Sequence, residues 1–408
     1  MVNFVQIYKS TDTGAPTLAG TAGSLINVLN KCLVSGYTTA SVTALSRVGS
    51  VATATIASTA TLVTGNYVTI SGANEVDYNG TFQITVTDTT HFTYTVANSP
   101  TTPATGTLLY AKAGLGWASP FTATNVATYR SSDNSSNRFY LRVQETGVTA
   151  GGQKEVSVVG YEVMQDANTG QGQFPTTAQK ATGLCWAKSI TADATTRAWT
   201  IIGDDKTFYI QLHNGTNPWM GGFGHYISYK PGDGFNTFIA GMDQFNVIVN
   251  STLCSGIGTN GAWGSLLDSN QAFFYTPRSW TQVGGPVSCT TIGAPSYQSS
   301  AKIGMGVYSP TATTWGPSFP NGPDMGMYFW PLWVIEATQG LVAIKGKLPG
   351  MYGLGIAALP QHANYEVVNG LTNLPGISLV ALTLTSGVSG TSTTYSGIGF
   401  WDYVGPWA

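Results

Sequence analysis

The 408-residue sequence predicts a mainly β fold: a multi-domain, β-sandwich or barrel-like host domain with one N-terminal helix and a small inserted all-β module. Three observations support this fold class. One segment has the apolar spacing of an amphipathic helix, whereas most other apolar runs are short and alternate with polar residues. Glycine supplies 50 residues, many of them in turns between these runs. Charged residues make up 9%, against about 25% in an average domain.

The helical segment is SLINVLNKCLVSG at 24–36. Its apolar residues at positions 25, 26, 29, 32 and 33 fall on one side of a helix. Ser24 is of a type that caps helix N-termini, and Gly36 stands where a left-handed residue commonly follows a helix. The pattern predicts a helix over 24–35, within an N-terminal part of the host domain at 1–46.

The inserted module is predicted at 47–110, where four short runs favour strands. The runs are TATIA at 53–57, YVTI at 67–70, TFQITV at 81–86 and FTYTV at 92–96. Turn residues at 77–80 and 88–90 separate them, and a Ser/Thr/Pro-rich stretch at 99–106 follows. So many strands without a helix predict a small sandwich or barrel-like module.

The host domain is predicted to resume at 111–245 and to be followed by a β-rich, aromatic, loop-rich region at 246–408. WTII-GDDK-TFYIQL at 199–212 has the pattern of a β-hairpin, with its turn at 203–206. Further strands are predicted at 138–143, 155–163, 245–249, 327–335, 340–345 and 377–384.

Composition excludes some classes of partner. With 17 basic and 19 acidic residues and a net charge of −2, the chain cannot neutralise a run of nucleic-acid phosphates. The longest strongly apolar run, at 327–335, contains Pro331 and is far shorter than the roughly 20 residues of a membrane span. The first ten residues, MVNFVQIYKS, lack the pattern of a signal peptide. We therefore expect synthesis in a cytoplasm, with neither nucleic-acid binding nor membrane insertion.

No motif points to a metal or a cofactor. Cys32, Cys185, Cys254 and Cys289 are widely spaced and form no CxxC pair, so we expect buried thiols. The histidines at 91, 213, 225 and 362 show no ligand spacing. The sequence therefore predicts no cofactor and no metal site.

The carboxylate pair Asp204-Asp205 allows two interpretations. Paired carboxylates are what glycoside hydrolysis needs, and Glu162 is a candidate partner from a distant strand. Adjacent residues in a predicted turn, however, more often serve as turn-forming side chains. We expect the turn interpretation to hold and assign no catalytic residue.

Four tryptophans lie in Gly/Pro/Asn-rich loops and are candidate contacts for a glycan or a protein partner: Trp219, Trp263, Trp280 and Trp315. The alternative is burial in a core or in a permanent subunit interface. Because a chain with so little charge is not self-repelling, we expect it to form a homo-oligomeric assembly.

Several segments resemble virion structural proteins of tailed bacteriophages. These segments are YKSTDTGAPTLAGTAGSLINVLNKCLVSGY at 8–37, GWASPF at 116–121, NRFYLRVQETG at 137–147, GYEVMQDANTGQGQFPT at 160–176, WTIIGDDKTFYI at 199–210 and KGKLPGMY at 345–352. GNYVTISGANEVDYNGTFQITV at 65–86 is similar to small β-modules that recur within phage structural proteins. The stretch from about 250 to 330 resembles that family least.

The resemblance implies a multicopy subunit of the head, neck or tail, such as a capsid-decoration or tail-appendage protein. It would contact other virion proteins and copies of itself, and it carries over no catalytic residues. Its location would be the virion, after synthesis in the host cytoplasm. The alternatives are a receptor-binding tail protein that recognises a polysaccharide on the host surface and, less favoured, a polysaccharide depolymerase.

Overall fold

The computed structural model describes residues 5–60, 62–145, 154–213, 218–242, 272–292, 323–326, 329–338, 341–354, 363–387 and 394–407. It is mainly β, with 48% strand and 6% helix, which confirms the predicted fold class. Among the described residues, no helix has the length and apolar character needed to cross a membrane.

The helical elements are an α-helix, α1 (Ser24–Leu29), a π-helical continuation at Asn30–Ser35 and a 3-10 turn at Val76–Tyr78. The strands are β1 (Gln6–Lys9), β2 (Tyr37–Val48), β3 (Val51–Ile56), β4 (Tyr67–Ala73), β5 (Gly80–Gln83), β6 (Thr85–Val86), β7 (His91–Thr95), β8 (Gly106–Lys112), β9 (Trp117–Ala118), β10 (Thr122–Ala123), β11 (Val126–Ser131), β12 (Tyr140–Gln144), β13 (Glu155–Tyr161), β14 (Val163–Met164), β15 (Gly170–Gln171), β16 (Leu184–Ala187), β17 (Trp199–Gly203), β18 (Thr207–His213), β19 (Pro218–His225), β20 (Ile227–Ser228), β21 (Thr237–Met242), β22 (Ala272–Thr276), β23 (Val287–Ile292), β24 (Phe329–Thr338), β25 (Leu341–Leu354), β26 (Val367–Val368), β27 (Leu379–Gly387) and β28 (Thr394–Asp402).

The predicted helix at 24–35 is confirmed, although its second half is π-helical. Its buried side chains belong to Leu25, Val28, Leu29, Cys32 and Leu33. The prediction that Ser24 caps the helix is wrong: Ser24 is the first helical residue, and Gly23 precedes it with φ 82°. The free N–H of Ile26 instead donates to the Glu145 carboxylate, Oε1, at 2.6 Å. A residue 119 positions away thus satisfies a helix-end donor that Ser24 was expected to satisfy.

Gly36 follows the helix with φ 71°, the conformation that favours glycine there. A Cβ at this position would lie 2.1 Å from the Lys112 carbonyl oxygen. The position therefore has room for glycine alone, because the last strand of the inserted module passes directly against it.

The inserted module is a separate seven-stranded sheet in the order β5-β4-β8-β2-β3-β7-β6. Its two edge strands, β5 and β6, are separated in sequence only by Ile84, so the sheet curls into a nearly closed barrel. Its buried apolar cluster draws only on residues 42–110. The first strand begins at Tyr37, ahead of the start at 47 suggested by composition, because β2 follows Gly36 directly.

Buried polar contacts join this module to the host domain. Tyr37 and Lys112 are paired where the chain enters and leaves the module. The Asp12 carboxylate, from the host domain, accepts hydrogen bonds from the Tyr37 hydroxyl and from Lys112 Nζ, both at 2.9 Å. Gln6 Nε2 donates to the carbonyl oxygen of Ala113 at 2.8 Å, and Gln6 Oε1 accepts from the N–H of Tyr67 at 3.1 Å.

The other long strands form one continuous sheet of nineteen strands. Every residue of β16 and β17 is buried, as are all but the last residue of β13 and β18. The predicted hairpin at 199–212 is confirmed, with β17 and β18 paired antiparallel up to Gly203 and Phe208. The predicted strand at 245–249 lies outside the described residues. Three of the four cysteines are buried, as expected, and Cys254 lies outside the described residues.

Candidate functional site

The Asp204-Asp205 pair lies in the tight turn between β17 and β18. Asp204 Oδ1 accepts hydrogen bonds from the backbone N–H groups of Lys206 at 2.8 Å and Thr207 at 2.7 Å. Trp117 Nε1 donates to the Asp204 carbonyl oxygen at 2.9 Å. The buried Asp204 carboxylate is thus used to form the turn, which is the arrangement expected of a turn-forming side chain.

Burial alters the protonation of both aspartates. It raises the pKa of Asp204 to about 7, although the hydrogen bonds from the turn oppose the shift. Burial and the nearby negative charge of Asp133 raise the pKa of Asp205 to about 6, while Lys206 opposes them. Carboxyl groups that titrate near neutral pH can serve as acids or bases, so their surroundings decide what they can do.

Glu162, the candidate partner of this pair, makes a different set of contacts. Its carboxylate forms an ion pair with Arg278, whose guanidinium lies over the ring of Phe235 at 4.7 Å. None of these contacts includes Asp204 or Asp205. The Glu162 carboxylate is therefore engaged by an arginine instead of a turn aspartate.

A small cavity lies beside this turn. Its lining includes Trp117, Ser136, Lys206, His225 and Thr237, and its volume is about 10 Å³, room for roughly one water molecule. His225 Nε2 accepts a hydrogen bond from the N–H of Asn137 at 3.0 Å. Burial lowers the pKa of His225 to about 4, so the ring is neutral at pH 7. The cavity is too small for a sugar ring.

The remaining histidines do not form a metal centre in the part of the chain that the structure describes. His91 Nδ1 lies 2.9 Å from the Asp88 carboxylate on the module surface. His213 is largely buried, which lowers its pKa. His362 lies outside the described residues. Within those residues, no group of three histidine, cysteine or acidic side chains has an arrangement that could hold a metal ion.

Of the four candidate tryptophans, the structure describes the side chain of Trp280, which is 54% exposed. The prediction that Trp219 lies in a loop is wrong: it lies in β19, opposite Leu212 of β18. Its side chain is outside the described part of the structure, and Trp263 and Trp315 lie wholly outside the described residues. Trp280 lies in the turn between β22 and β23. The backbone N–H of Trp280 donates to Oε2 of the Glu336 carboxylate, on β24, at 2.8 Å.

Two further aromatic residues lie close to Trp280 and were not singled out by sequence. Tyr229 is 52% exposed, and its hydroxyl accepts a hydrogen bond from Trp333 Nε1 at 3.1 Å. Lys230, the next residue, donates from Nζ to the Trp280 carbonyl oxygen at 3.0 Å. Tyr229, Trp280 and Trp333 are called the aromatic surface below. A sequence signal existed: Trp333 stands between the buried Leu332 and Val334 in a strand, and so faces the opposite side.

Several of the few charged side chains are buried in ion pairs inside the protein. Among the described residues, both side chains are buried in each of three ion pairs: Asp12–Lys112, Glu145–Lys188 and Glu336–Lys345. Lys188 Nζ also donates to the hydroxyl of Ser24 at 3.1 Å, next to the Glu145 carboxylate that binds the helix end. These pairs join elements of the fold and leave fewer charges for the surface.

Comparison with protein-family models and with curated proteins gives no match to this chain. Its function must therefore be inferred from its own residues and their geometry.

Proposed function

We propose that this chain is a multicopy structural subunit of a tailed-phage virion, docked on the head, neck or tail by contacts between subunits. The role involves no catalytic step. It acts through buried apolar area and strand pairing, with other virion proteins and copies of the chain itself as partners. The motivation from sequence is the resemblance to phage virion proteins.

The observation that carries this proposal is the distribution of charge. With 9% charged residues, the chain has few ionic groups, and three pairs of them are buried inside it. The carboxylates of Asp204 and Glu162 are likewise used in internal contacts. A surface left with so little charge favours association over repulsion between copies.

Exposed apolar side chains support the same proposal. The most exposed large ones in the described residues are Val48 at 87%, Val283 at 75%, Val76 at 74% and Met325 at 68%. Val48 lies at the tip of the hairpin formed by β2 and β3, at the end of its strand. Such residues at the tips of hairpins are available to a neighbouring subunit, because apolar area gains free energy when it leaves water.

The test is whether the chain is part of the particle. Purified virions would be imaged by negative stain with an antibody to this chain, and their proteins quantified by mass spectrometry. We expect label at one structure of the particle and several copies per virion. Absence from intact virions would overturn the proposal.

A second candidate function is binding of a polysaccharide on the host surface. The exposed Trp280 and Tyr229 favour it, since aromatic faces that remain in water are available to stack on a ligand. Binding of purified protein to host cells, set against cells stripped of their surface polysaccharide, tests this function. Equal binding to both would contradict it.

A further inference from the structure

We propose that the aromatic surface, formed by Tyr229, Trp280 and Trp333, is a binding site for an acidic saccharide. This deepens the second candidate function and rests on it, because it assigns the residues and the charge class of the ligand.

Trp333 contacts Tyr229 directly, and Lys230 joins this pair to Trp280. Trp333 Nε1 donates to the Tyr229 hydroxyl at 3.1 Å. Lys230 follows Tyr229 in the chain, and its Nζ lies 3.0 Å from the Trp280 carbonyl oxygen and 6.0 Å from the centre of the Trp280 ring. The segment Tyr229-Lys230 therefore links the two tryptophans in one continuous surface.

Two buried residues on neighbouring strands, Glu336 and Lys345, hold both loops that carry this surface. Trp280 N–H donates to Glu336 Oε2 at 2.8 Å, and Glu336 pairs with Lys345 at 3.6 Å. The N–H of Tyr229 donates to the Lys345 carbonyl oxygen at 2.9 Å. Because the backbones of Trp280 and Tyr229 are both bonded to residues of the paired strands β24 and β25, the two loops are held in place before a ligand arrives. A preorganised site loses less conformational entropy on binding.

The Asp233 carboxylate also joins the same two loops through hydrogen bonds. It accepts hydrogen bonds from Ser228 Oγ at 2.7 Å and from Gln282 Nε2 at 2.5 Å. It also accepts from the Tyr226 hydroxyl at 3.1 Å. This carboxylate is therefore occupied by the loops themselves and is not presented to a ligand.

The exposure of the rings indicates what class of ligand they fit. Trp280 and Tyr229 keep about half of their area in water, although both are anchored by their backbones. A flat aromatic face carries negative charge density above the ring and attracts the weakly positive C–H groups of a pyranose face. The polar edges of tyrosine and tryptophan can bond to the ring hydroxyls.

The charges around the surface favour an acidic sugar over a neutral one. Lys230 lies over Trp280, and Lys347 is the cross-strand partner of Trp333. Among the described residues, neither lysine forms an ion pair with a carboxylate, whereas Glu336 and Asp233 are already engaged. The surface thus presents aromatic faces with two cationic side chains, which suits a saccharide that carries carboxylates.

Calorimetric titration of the purified full chain tests this site. The acidic probe is a polygalacturonate oligomer, and the neutral probe is a dextran oligomer. We expect the native chain to bind polygalacturonate more tightly than dextran, with affinity that falls as salt is raised. Trp280→Ala should weaken polygalacturonate binding by about tenfold or more, the loss typical of a central aromatic contact. Lys230→Gln should weaken polygalacturonate binding and leave dextran binding unchanged.

Val283→Ala is the matched control, because Val283 is exposed and lies in the same loop as Trp280. It should bind polygalacturonate like the native chain. Trp280 and Val283 are exposed, and glutamine at the half-buried position 230 can still donate a hydrogen bond, so we expect similar thermal unfolding for all variants; this measurement separates lost binding from lost folding.

The outcomes separate this site from the broader function. If Trp280→Ala binds polygalacturonate like the native chain, the proposed site is wrong. Saccharide binding would then occur at another surface. Preference for dextran would overturn the charge class. No binding to either probe would overturn the site, while the second candidate function is decided separately by the test with host cells. A change of molar mass in light scattering for Trp280→Ala, with unchanged saccharide binding, would assign the surface to contacts between copies and overturn the proposal.

Discussion

The inserted module and the host domain around it bury their apolar residues in different ways. In the module, β3, β7 and β8 alternate between buried and less buried residues along each strand. In the host domain, β16 and β17 are buried on both faces. The module core is therefore specified by a local pattern, whereas the host core requires distant parts of the chain to cover both sides of each strand.

The two regions also treat charge differently. On the module surface, hydrogen bonds from the backbone N–H of Thr90 and the side chain of His91 hold the pKa of Asp88 down, at about 2. In the host domain, burial raises the pKa of Asp204 to about 7. Among the described residues, the module contributes only Lys112 to a buried ion pair, and its partner Asp12 belongs to the host domain, whereas both partners of Glu145–Lys188 and of Glu336–Lys345 lie outside the module.

The largest expected effect comes from breaking the buried Glu145–Lys188 ion pair of the host domain. Lys188→Met leaves Glu145 charged, buried and without its cation, and we expect a loss of about 3–5 kcal/mol in the free energy of unfolding. Guanidinium unfolding measures the loss. Combining it with Glu145→Leu should recover part of the stability, because the unpaired charge is then gone.

Asp193→Asn is the control for this change. Asp193 pairs with Arg197 at 3.4 Å in an exposed position, so its replacement should change stability far less than Lys188→Met does. Equal losses for Asp193→Asn and Lys188→Met would contradict the distinction drawn between interior and surface charge.

A core deletion in the module should act within the module. Ile70→Ala removes a side chain that is 1% exposed, with an expected loss of about 2–5 kcal/mol. Region-resolved amide hydrogen exchange should show faster exchange in 37–112 and little change in β16–β18. Val76→Ala, at an exposed position, should leave exchange unchanged in both regions. Equal acceleration throughout the chain would show that the two regions unfold as one.

The junction between the regions should contribute less than either core. Gln6→Leu leaves the N–H of Tyr67 without the Gln6 Oε1 acceptor, while the Tyr8 hydroxyl still donates to the Ala113 carbonyl oxygen. The expected loss is about 1–3 kcal/mol, the typical effect of an unsatisfied buried donor. Exchange should accelerate first at Tyr67 and Ala113. Unchanged exchange there would show that Gln6 does not couple the module to the host domain.

The last expected effect is a change in how stability depends on pH. Because the pKa of Asp204 is raised in the folded state, the folded protein retains a proton that the unfolded chain releases, so stability falls as pH rises from about 4 to 7. Asp204→Asn keeps an oxygen that can accept both turn hydrogen bonds and should flatten this fall. Urea midpoints measured from pH 4 to 8 test the slope.

Asp88→Asn gives the opposite sign in the module. The lowered pKa of Asp88 contributes stability above its ordinary pKa, and this is lost as the pH falls towards 2. The variant should therefore change stability above about pH 4 and leave the slope from pH 4 to 7 unaltered. An identical pH profile for Asp204→Asn and the native chain would remove one of the two differences between the regions.

The sequence predicted β3 to β7 of the module and the 199–212 hairpin because both depend on alternation and turn residues within a short stretch, but it did not predict β2 or β8. It also predicted the helix, but assigned its cap to Ser24. The actual partner of the helix end is Glu145, and a carboxylate so far along the chain leaves no local signal. At the candidate site, Trp280 was found by its loop composition, whereas Tyr229 was missed because a single tyrosine in a turn carries no pattern.

By itself the sequence determined the β class, the position of the helix and the role of Asp204 in its turn, since each follows from residues that are close together in the sequence. Only the tertiary structure decided that Glu145 and Lys188 meet at the helix end and that Tyr229 and Trp333 share a surface. These pairs are brought together by the packing of strands that are distant in sequence. Such packing depends on burial and register over the whole sheet, and no short stretch of sequence encodes it.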